Sequence, residues 1–246
     1  MKISVIIPAL NEVKDILSCL HSAKTQPGEF ELLVIDGGSV DGTVEVARHQ
    51  AKVIRSEQGR AVQMNSGARQ STGEVLLFLH ADSCLPAGAF LSMEQVLADP
   101  RIVGGTFRLR FNRQAFLLRV IAFFTRFKFR YFHYGDQGIF VRRSVFEALD
   151  GFAEIPFMED VDFLRRLSRT GRVTLLKQSV TTSARRFIKR GVIRQQLMNV
   201  LLVAFYLLGA RPEKLKKWYE REPLENLKNL IEDGRIGDCL RGGMKR

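Results

Sequence analysis

Two acid-bearing loops near the N-terminus combine residue types and a spacing that could do chemistry. Val34-Ile35-Asp36-Gly37-Gly38-Ser39-Val40-Asp41-Gly42-Thr43 follows Ile3-Ser4-Val5-Ile6-Ile7-Pro8-Ala9-Leu10-Asn11-Glu12 at the distance of one β-α-β unit. In each, an apolar run suited to a buried parallel strand ends in small and acidic residues, and open α/β sheets bind ligands at the carboxyl ends of their strands. The Asp36 carboxylate can accept hydrogen bonds from a base, while Gly37 and Gly38 let the backbone come close. The pair has the makings of a nucleotide-sugar pocket. Singly, Asn11 and Asp41 are good helix caps and the glycines good turns; two such loops at this spacing favour the pocket.

Further along, His80-Ala81-Asp82 closes the apolar run Val75–Leu79, and Met158-Glu159-Asp160-Val161-Asp162 follows Gly151-Phe152 and precedes an apparent helix. A carboxylate at such a helix start could take a proton from a hydroxyl, or could simply belong to an acidic N-cap cluster.

The surrounding elements follow from periodicity. Val13, Ile16, Leu17 and Leu20 recur at helical spacing, which predicts an amphipathic helix between strands 3–7 and 31–35. Asp41 is the expected N-cap of a helix through Gln50, followed by a strand at 52–55, a helix at 60–70 and the strand 75–79. Pro86 should open a helix carrying Phe90, Met93, Val96 and Leu97. Val103–Phe111 alternates as a half-exposed antiparallel strand, with Phe107, Leu109 and Phe111 inward. Ser144 and Glu147 have capping-box spacing, a helix is expected over 160–170, and strands over 173–177 and 180–183 complete the sheet. The β-α-β-α-β rhythm predicts an α/β fold with a mostly parallel central sheet flanked by helices. Residues 188–209 read as one long apolar helix ahead of a charged segment, 213–233, and a Gly-rich flexible end, 234–246.

Charge is unevenly spread. The chain has 246 residues and a formal charge of +12, yet residues 1–100 hold 8 Lys/Arg against 12 Asp/Glu and the remaining 146 hold 30 against 14. The basic second half points to an anionic partner. Cys19, Cys84 and Cys239 are odd in number and lack paired-thiol spacing, so neither a disulfide framework nor a zinc site is expected, and a reducing cytoplasm fits. With a strand starting at Ile3, no secretion signal is expected.

With these motifs in order, the chain resembles the family-2 glycosyltransferases of the GT-A nucleotide-diphospho-sugar fold over residues 2 to about 187. Within them it is most similar to small bacterial enzymes called selenodomain-associated transferases, a label that does not define a substrate; some relatives glucosylate a carotenoid carboxylate and others use polyprenyl phosphates. The resemblance implies a GT-A domain over 1–187, a helical membrane-proximal extension over 188–233 and a flexible tail over 234–246. It sets the nucleoside against Pro8, Ala9, Asn11, Glu12, Asp36 and Ser39. In the segment holding Gly59, Arg60, Asn65 and Gly67, Arg60 would approach the nucleotide or its diphosphate, the alternative being a solvated surface charge.

His80-Ala81-Asp82 occupies the position of the family's Asp-x-Asp, which holds a divalent cation, Mn²⁺ or Mg²⁺, on the leaving diphosphate. Asp82 matches the ligating position. His80 departs from the pattern, and could ligate Mn²⁺, touch the ribose or hold the loop; imidazole favours Mn²⁺ over Mg²⁺. Glu159 and Asp160 match the Glu-Asp motif, with Asp160 as the base of an inverting transfer and Glu159 beside it on the substrate. Asp136 and Gln137, in Tyr134–Val141, correspond to the sugar-facing loop. Ser183-Ala184-Arg185-Arg186-Phe187 stands where processive relatives have Gln-x-x-Arg-Trp, which argues against a polymer synthase; those arginines would meet diphosphate or lipid headgroups.

Between Arg101 and Arg143, ten Lys/Arg and one acid are interleaved with aromatic residues such as Phe116, Phe123, Phe127 and Tyr131, and Arg119, Arg126 and Arg130 fall near one helical face. Such a segment could lie on an anionic membrane or pack on the domain with one polar side. Residues 200–208 are apolar throughout but fall short of the roughly 20 residues that span a bilayer. The expectation is a peripheral or monotopic enzyme on the cytoplasmic face of the cell membrane, transferring a sugar from a UDP- or GDP-sugar to a lipid-linked or lipophilic acceptor, with no nucleic acid partner. Two rivals differ in class. A sugar-nucleotide pyrophosphorylase would need an early Gly-x-Gly-Thr-Arg loop that is missing here, and a non-enzymatic basic module binding anionic lipid or RNA would leave the strand-end acids without a purpose.

Overall fold

The computed structural model describes residues 1–113, 115–124 and 135–220. In chain order the first half contains β1 (Ile3–Ala9), α1 (Ile16–Lys24), β2 (Phe30–Asp36), α2 (Thr43–Arg48), β3 (Lys52–Arg55), α3 (Arg60–Arg69), β4 (Val75–Phe78), β5 (Ser83–Cys84) and α4 (Ala89–Leu97). The second half contains β6 (Ile102–Phe111), α5 (Phe116–Phe124), a 3-10 turn at Gly135–Gln137, β7 (Ile139–Arg142), α6 (Arg143–Ala148), α7 (Glu159–Thr170), β8 (Arg172–Thr182), α8 (Arg185–Arg190), α9 (Val192–Leu207) and α10 (Pro212–Glu220).

The strands form one sheet in the order β3-β2-β1-β4-β7-β6-β8-β5. Strands β1 to β4 are parallel, β7 runs against β4 and β6, β8 is parallel to β6, and β5 runs against β8. Alternating side chains fill two cores. On one face Val5, Ile7, Val34 and Leu77 meet Ile16 and Leu20 of α1 and Phe90 and Met93 of α4. On the other, Ile6, Leu33, Ile35, Leu76 and Phe78 meet Met64 of α3, Phe146 of α6 and Phe163 and Leu167 of α7. Strands covered on both faces read as continuous apolar runs, which is why the sequence announced them.

Several local expectations change. Leu17 is exposed, and Cys19 and Ala23 complete the buried stripe of α1 instead. Gly42, in the left-handed region at φ 91°, is the N-cap of α2 in place of Asp41. Pro86 precedes α4, whose N-cap is Gly88. Strand β6 alternates as expected only in its second half, where Phe107, Leu109 and Phe111 are buried and Arg110 is exposed; Ile102 to Phe107 are all buried, with Ile102 and Phe107 in one core and Val103 in the other. Ser144 is the second residue of α6, with no side-chain cap, so no capping box forms. The two expected C-terminal strands are one, β8, which absorbs the irregularity as register shifts against β6. Gly191, at φ 82°, splits the expected long helix into α8 and α9.

Contacts divide the chain into two units, Met1–Glu154 with Asp160–Ala184, and Ile155–Glu159 with the chain from Arg185 onward. The first holds the whole sheet. It also carries α5, in which Leu118 is buried while Phe116, Leu117, Val120 and Phe123 are exposed. Arg126, Phe127, Arg130 and Tyr131, along with residues 221–246, lie outside the described residues.

In the second unit α9 packs on α8 and α10. Phe205 meets Trp218 edge-on at 5.5 Å, Phe157 meets Tyr219 at 5.1 Å, and the Arg190 guanidinium sits 4.9 Å from the Tyr219 ring centre. Among the described residues no helix is long and apolar enough to cross a membrane.

Candidate functional site

Topology gathers the motifs of the first unit at one edge of the sheet. Ala9 pairs with Asp36 and Ile6 with Phe78, so the loops after β1, β2 and β4 leave from the same side. Phe78 also pairs with Ile139 of the antiparallel β7, which brings Asp136 and Gln137, just before β7, to that side. Strand β8 ends there too: the Ser183 N–H donates to the Asp82 carbonyl at 3.2 Å. Only Gly171 separates α7 from the start of β8 at the far edge. The helix therefore begins, with Asp160 in its first turn, toward the near one.

The loops after β1 and β2 are knitted to each other. The Asn11 N–H donates to Ser39 Oγ at 2.9 Å and the Val40 N–H returns to Asn11 Oδ1 at 2.9 Å. The Glu12 N–H donates to Thr43 Oγ1 at 2.8 Å and the Val13 N–H to Asp41 Oδ2 at 3.1 Å. The hydrogen bond from the Thr43 hydroxyl holds the Asp41 carboxyl below the ordinary carboxylate range. Asn11 sits at φ 56°, a left-handed conformation that its short polar side chain tolerates. Asp36 is buried and accepts from the N–H groups of Gly38, at 3.1 Å, and Ser39, at 3.2 Å. It thus orders its own loop, in addition to any role toward a base. Pro8 and Ala9 are the last residues of β1, paired with Ile35 and Asp36.

Helix α3 supplies a residue that periodicity alone did not single out. Gln63 is buried, and its Nε2 donates to the carbonyls of Ala9 at 2.9 Å and Ile35 at 2.7 Å, clamping the ends of β1 and β2. A Cβ on Gly37 would stand 3.0 Å from the same nitrogen. Glutamine between apolar neighbours looks like an ordinary helix surface position, and only the packing reveals the clamp. Arg60 is half-buried at the start of α3. Asn65 brackets Phe152 through its backbone, with Nδ2 donating to the carbonyl and Oδ1 accepting the N–H, both at 2.9 Å. Gly67 is a packing residue: a Cβ there would collide with Ile6 and press on Ile35.

At the end of β4, His80 Nδ1 lies 3.0 Å from Asp136 Oδ1. The His80 carbonyl accepts the Ser83 N–H at 3.0 Å, closing the turn that presents Asp82. Asp82 Oδ1 lies 3.4 Å from Ser83 Oγ and 3.5 Å from Thr182 Oγ1. Gln137 is buried beside this turn's strand partner.

In α7, Asp160 Oδ1 accepts the Val161 N–H at 2.7 Å. Carboxylates are favoured at that end of a helix. Asp162 is held within the first unit: Arg166 Nε donates to it at 2.7 Å, while the other Arg166 nitrogens donate to the carbonyls of Leu149 and Gly151 at 2.7 Å each. This network and the Phe78, Phe146, Phe152 and Phe163 rings fix the helix on the sheet. Glu159, buried, opens α7 and groups with the second unit; Met158 just before it has φ 68°, a strained backbone for a side chain of its kind. Arg185 and Arg186 are exposed in the first turn of α8. A cavity of about 260 Å³ lined by Asn65, Arg69, Arg143, Phe146, Glu147 and Asp150 lies between α3 and α6, and none of Asp36, Asp82 and Asp160 lines it.

Residues 4–149, more than half of the chain, match the family described as Glycosyl transferase family 2. The chain belongs to glycosyl transferase family 2. The matched stretch of this family member contains the loops after β1, β2 and β4, Arg60 and Asp136-Gln137, while the Glu159-Asp160 turn and the Ser183–Phe187 segment follow it. Glycosyltransferase AglE of Haloferax volcanii is 38% identical over 95 residues, which are 34% of this chain and 31% of AglE. The PGL/p-HBAD biosynthesis glycosyltransferase Rv2957 of Mycobacterium tuberculosis is 40% identical over 91 residues, 33% of this chain and 36% of that protein. The alignments thus span about a third of these curated relatives. Among solved structures, mannosyltransferase PcManGT from Pyrobaculum calidifontis, in complex with GDP-Man and Mn²⁺, is similar with a TM-score of 0.65 at 23% identity, over 83% of this chain and 63% of that one. That likeness is one of fold, and the architecture is GT-A: a mostly parallel sheet between helical layers, with a helical C-terminal extension.

Proposed function

We propose that the protein is an inverting glycosyltransferase that moves a sugar from a UDP- or GDP-sugar to a lipid-linked or lipophilic acceptor on the cytoplasmic face of the membrane. The observation that carries this is the meeting, on one edge of the sheet, of the knitted Asn11–Ser39 loops with the His80-Ala81-Asp82 turn and Asp136. Family membership and the fold shared with a mannosyltransferase solved with GDP-Man and Mn²⁺ support it. Within the family, the motifs favour the small selenodomain-associated transferases.

Pro8, Ala9, Asn11, Glu12, Asp36 and Ser39 would hold the nucleoside, and Arg60 would approach the diphosphate. Among the described residues no three His, Cys, Asp or Glu side chains are grouped to hold an ion. Divalent cations that bind with their substrate take one or two protein donors and complete their shell with phosphate oxygens and water. Asp82 with His80 suits that mode, and Mn²⁺ or Mg²⁺ held there would supply positive charge against the leaving diphosphate. Asp160 takes the proton from the acceptor hydroxyl. The acceptor oxygen then bonds to the anomeric carbon on the face opposite the diphosphate, whose bond breaks as the nucleoside diphosphate leaves with the electron pair; the anomeric configuration inverts. Glu159, Asp136 and Gln137 are assigned to the substrate side. The apolar outer face of α5, with Arg119 exposed among its aromatic residues, is the kind of surface a lipophilic acceptor would meet.

Thermal-shift titration with UDP, GDP and their sugar conjugates, with and without Mn²⁺, tests the proposal. Mn²⁺-dependent stabilisation by one nucleotide class is expected. Indifference to all of them would end it in favour of a non-enzymatic basic module.

A further inference from the structure

Helix α9 is apolar on its outer side as well as on its buried side, where Met198, Leu202 and Val203 pack. Ile193, Leu197, Val200, Ala204 and Leu208 are all exposed, at steps of four, three, four and four residues, so they form one continuous stripe. Ile193, Leu197 and Leu208 are each about 60% exposed. The buried side also takes in one polar residue, Gln195, whose amide donates to Asn199 Oδ1 at 2.7 Å. A polar residue turned inward while every residue of the outer stripe is apolar is the pattern of a helix whose outer surroundings are not water.

The flanking helices carry the charge. On α8, Arg185, Arg186 and Lys189 are exposed; on α10 and just before it, Arg211, Lys214, Lys216 and Lys217 are exposed. From 185 to 220 there are nine Lys/Arg and two Asp/Glu. A second copy of the chain placed on the stripe would set two such cationic surfaces side by side, whereas anionic headgroups would neutralise them. At 16 residues α9 is roughly 24 Å long, shorter than a bilayer's hydrocarbon core. Its apolar stripe instead runs along its length, as a helix lying in the interface requires.

We propose that α9 lies in the plane of an anionic bilayer, with Ile193, Leu197, Val200, Ala204 and Leu208 entering the acyl boundary and the basic residues of α8 and α10 meeting the headgroups. The second unit is thus a monotopic anchor. This deepens the lipophilic-acceptor proposal and rests on it for its purpose, but vesicle binding can be read without any sugar transfer.

Flotation of the full chain with phosphatidylcholine vesicles, with and without phosphatidylglycerol, is the test. Binding should require phosphatidylglycerol, weaken with salt, and fall roughly tenfold or more in Leu197→Asp/Val200→Asp. Nucleotide thermal shifts should be unchanged in that variant, which shows that it is folded. A second variant, Lys214→Glu/Lys217→Glu, should lose the preference for phosphatidylglycerol. Wild-type vesicle binding by both variants would overturn the proposal. So would a dimer that Leu197→Asp dissociates in a chain indifferent to vesicles, or vesicle binding that appears only when the chain is ended at Glu220, since these would make a second copy or residues 221–246 the cover of the stripe. Vesicle binding without any nucleotide binding would sink the transferase proposal and leave the anchor standing.

Discussion

His80 Nδ1 stands 3.0 Å from Asp136 Oδ1, joining the turn after β4 to the residues that lead into β7. A carboxylate facing Nδ1 fixes the ring orientation and turns Nε2 away from it, the arrangement found behind ligating histidines. If His80 ligates the cation as proposed, Asp136 would act on the site by orienting it as well as by facing the substrate. In Asp136→Asn, Mn²⁺-dependent nucleotide binding should weaken by roughly 10- to 100-fold. Mn²⁺ titration followed by electron paramagnetic resonance, with the nucleotide present, measures this. Unchanged Mn²⁺ affinity with altered selectivity among sugar nucleotides would return Asp136 to a direct sugar contact.

The two acids at Asp82 and Asp160 should fail differently. Asp160→Asn removes the proposed proton acceptor, so turnover should fall by about 10²- to 10⁴-fold with donor affinity kept. Asp82→Asn should weaken the metal-dependent part of donor binding itself. Radiolabelled transfer combined with calorimetric nucleotide titration separates the two, and full activity in both variants would overturn the assignments.

Gln63 offers a test of the β1–β2 clamp. Gln63→Leu keeps the approximate volume but leaves the buried carbonyls of Ala9 and Ile35 without their donor, at a cost of about 1–3 kcal/mol. Denaturant unfolding should report that loss. Because Gly37 rests on the same side chain, nucleotide affinity should drop in conditions where the variant is fully folded.

Gly67→Ala should act on stability alone. The added methyl meets Ile6 and Ile35, and overpacking of this kind costs about 1–3 kcal/mol. A lowered melting temperature with unchanged nucleotide affinity is expected; a selective loss of nucleotide binding would give Gly67 a place in the pocket.

The thiols near the His80 turn should be inert. Burial pushes the Cys19 thiol well above its ordinary value, and burial raises Cys84 as well, so both stay protonated through neutral pH, and only a thiolate is an effective nucleophile. Mass spectrometry after brief iodoacetamide treatment should find Cys19 unmodified in the native protein and modified in denaturant. Fast native labelling of Cys19 would contradict its packing.

Residue order alone determined the parallel half of the sheet, because β1, β2 and β4 are covered on both faces and so appear as unbroken apolar runs closed by small and acidic residues. It also located the acids at strand ends, since a strand's end and a helix's start are local events. In β6 the alternation holds from Phe107 to Phe111, but the burial of both faces over Ile102–Thr106 is not legible, because the covering of the second face comes from helices distant in sequence. The break at Gly191 is hidden in the sequence because apolar residues continue on both sides of it.

Other relationships exist only in three dimensions. Asn11 with Ser39, Gln63 with the ends of two strands, Asp82 with Thr182, and His80 with Asp136 each join positions that no periodicity connects. They arise where parallel strands end side by side, so the register of the sheet, not the spacing along the chain, sets which side chains meet. The outward apolar stripe of α9 is likewise a tertiary fact: composition marked the segment as apolar, but the packing of α8 and α10 decides which of its faces is left uncovered.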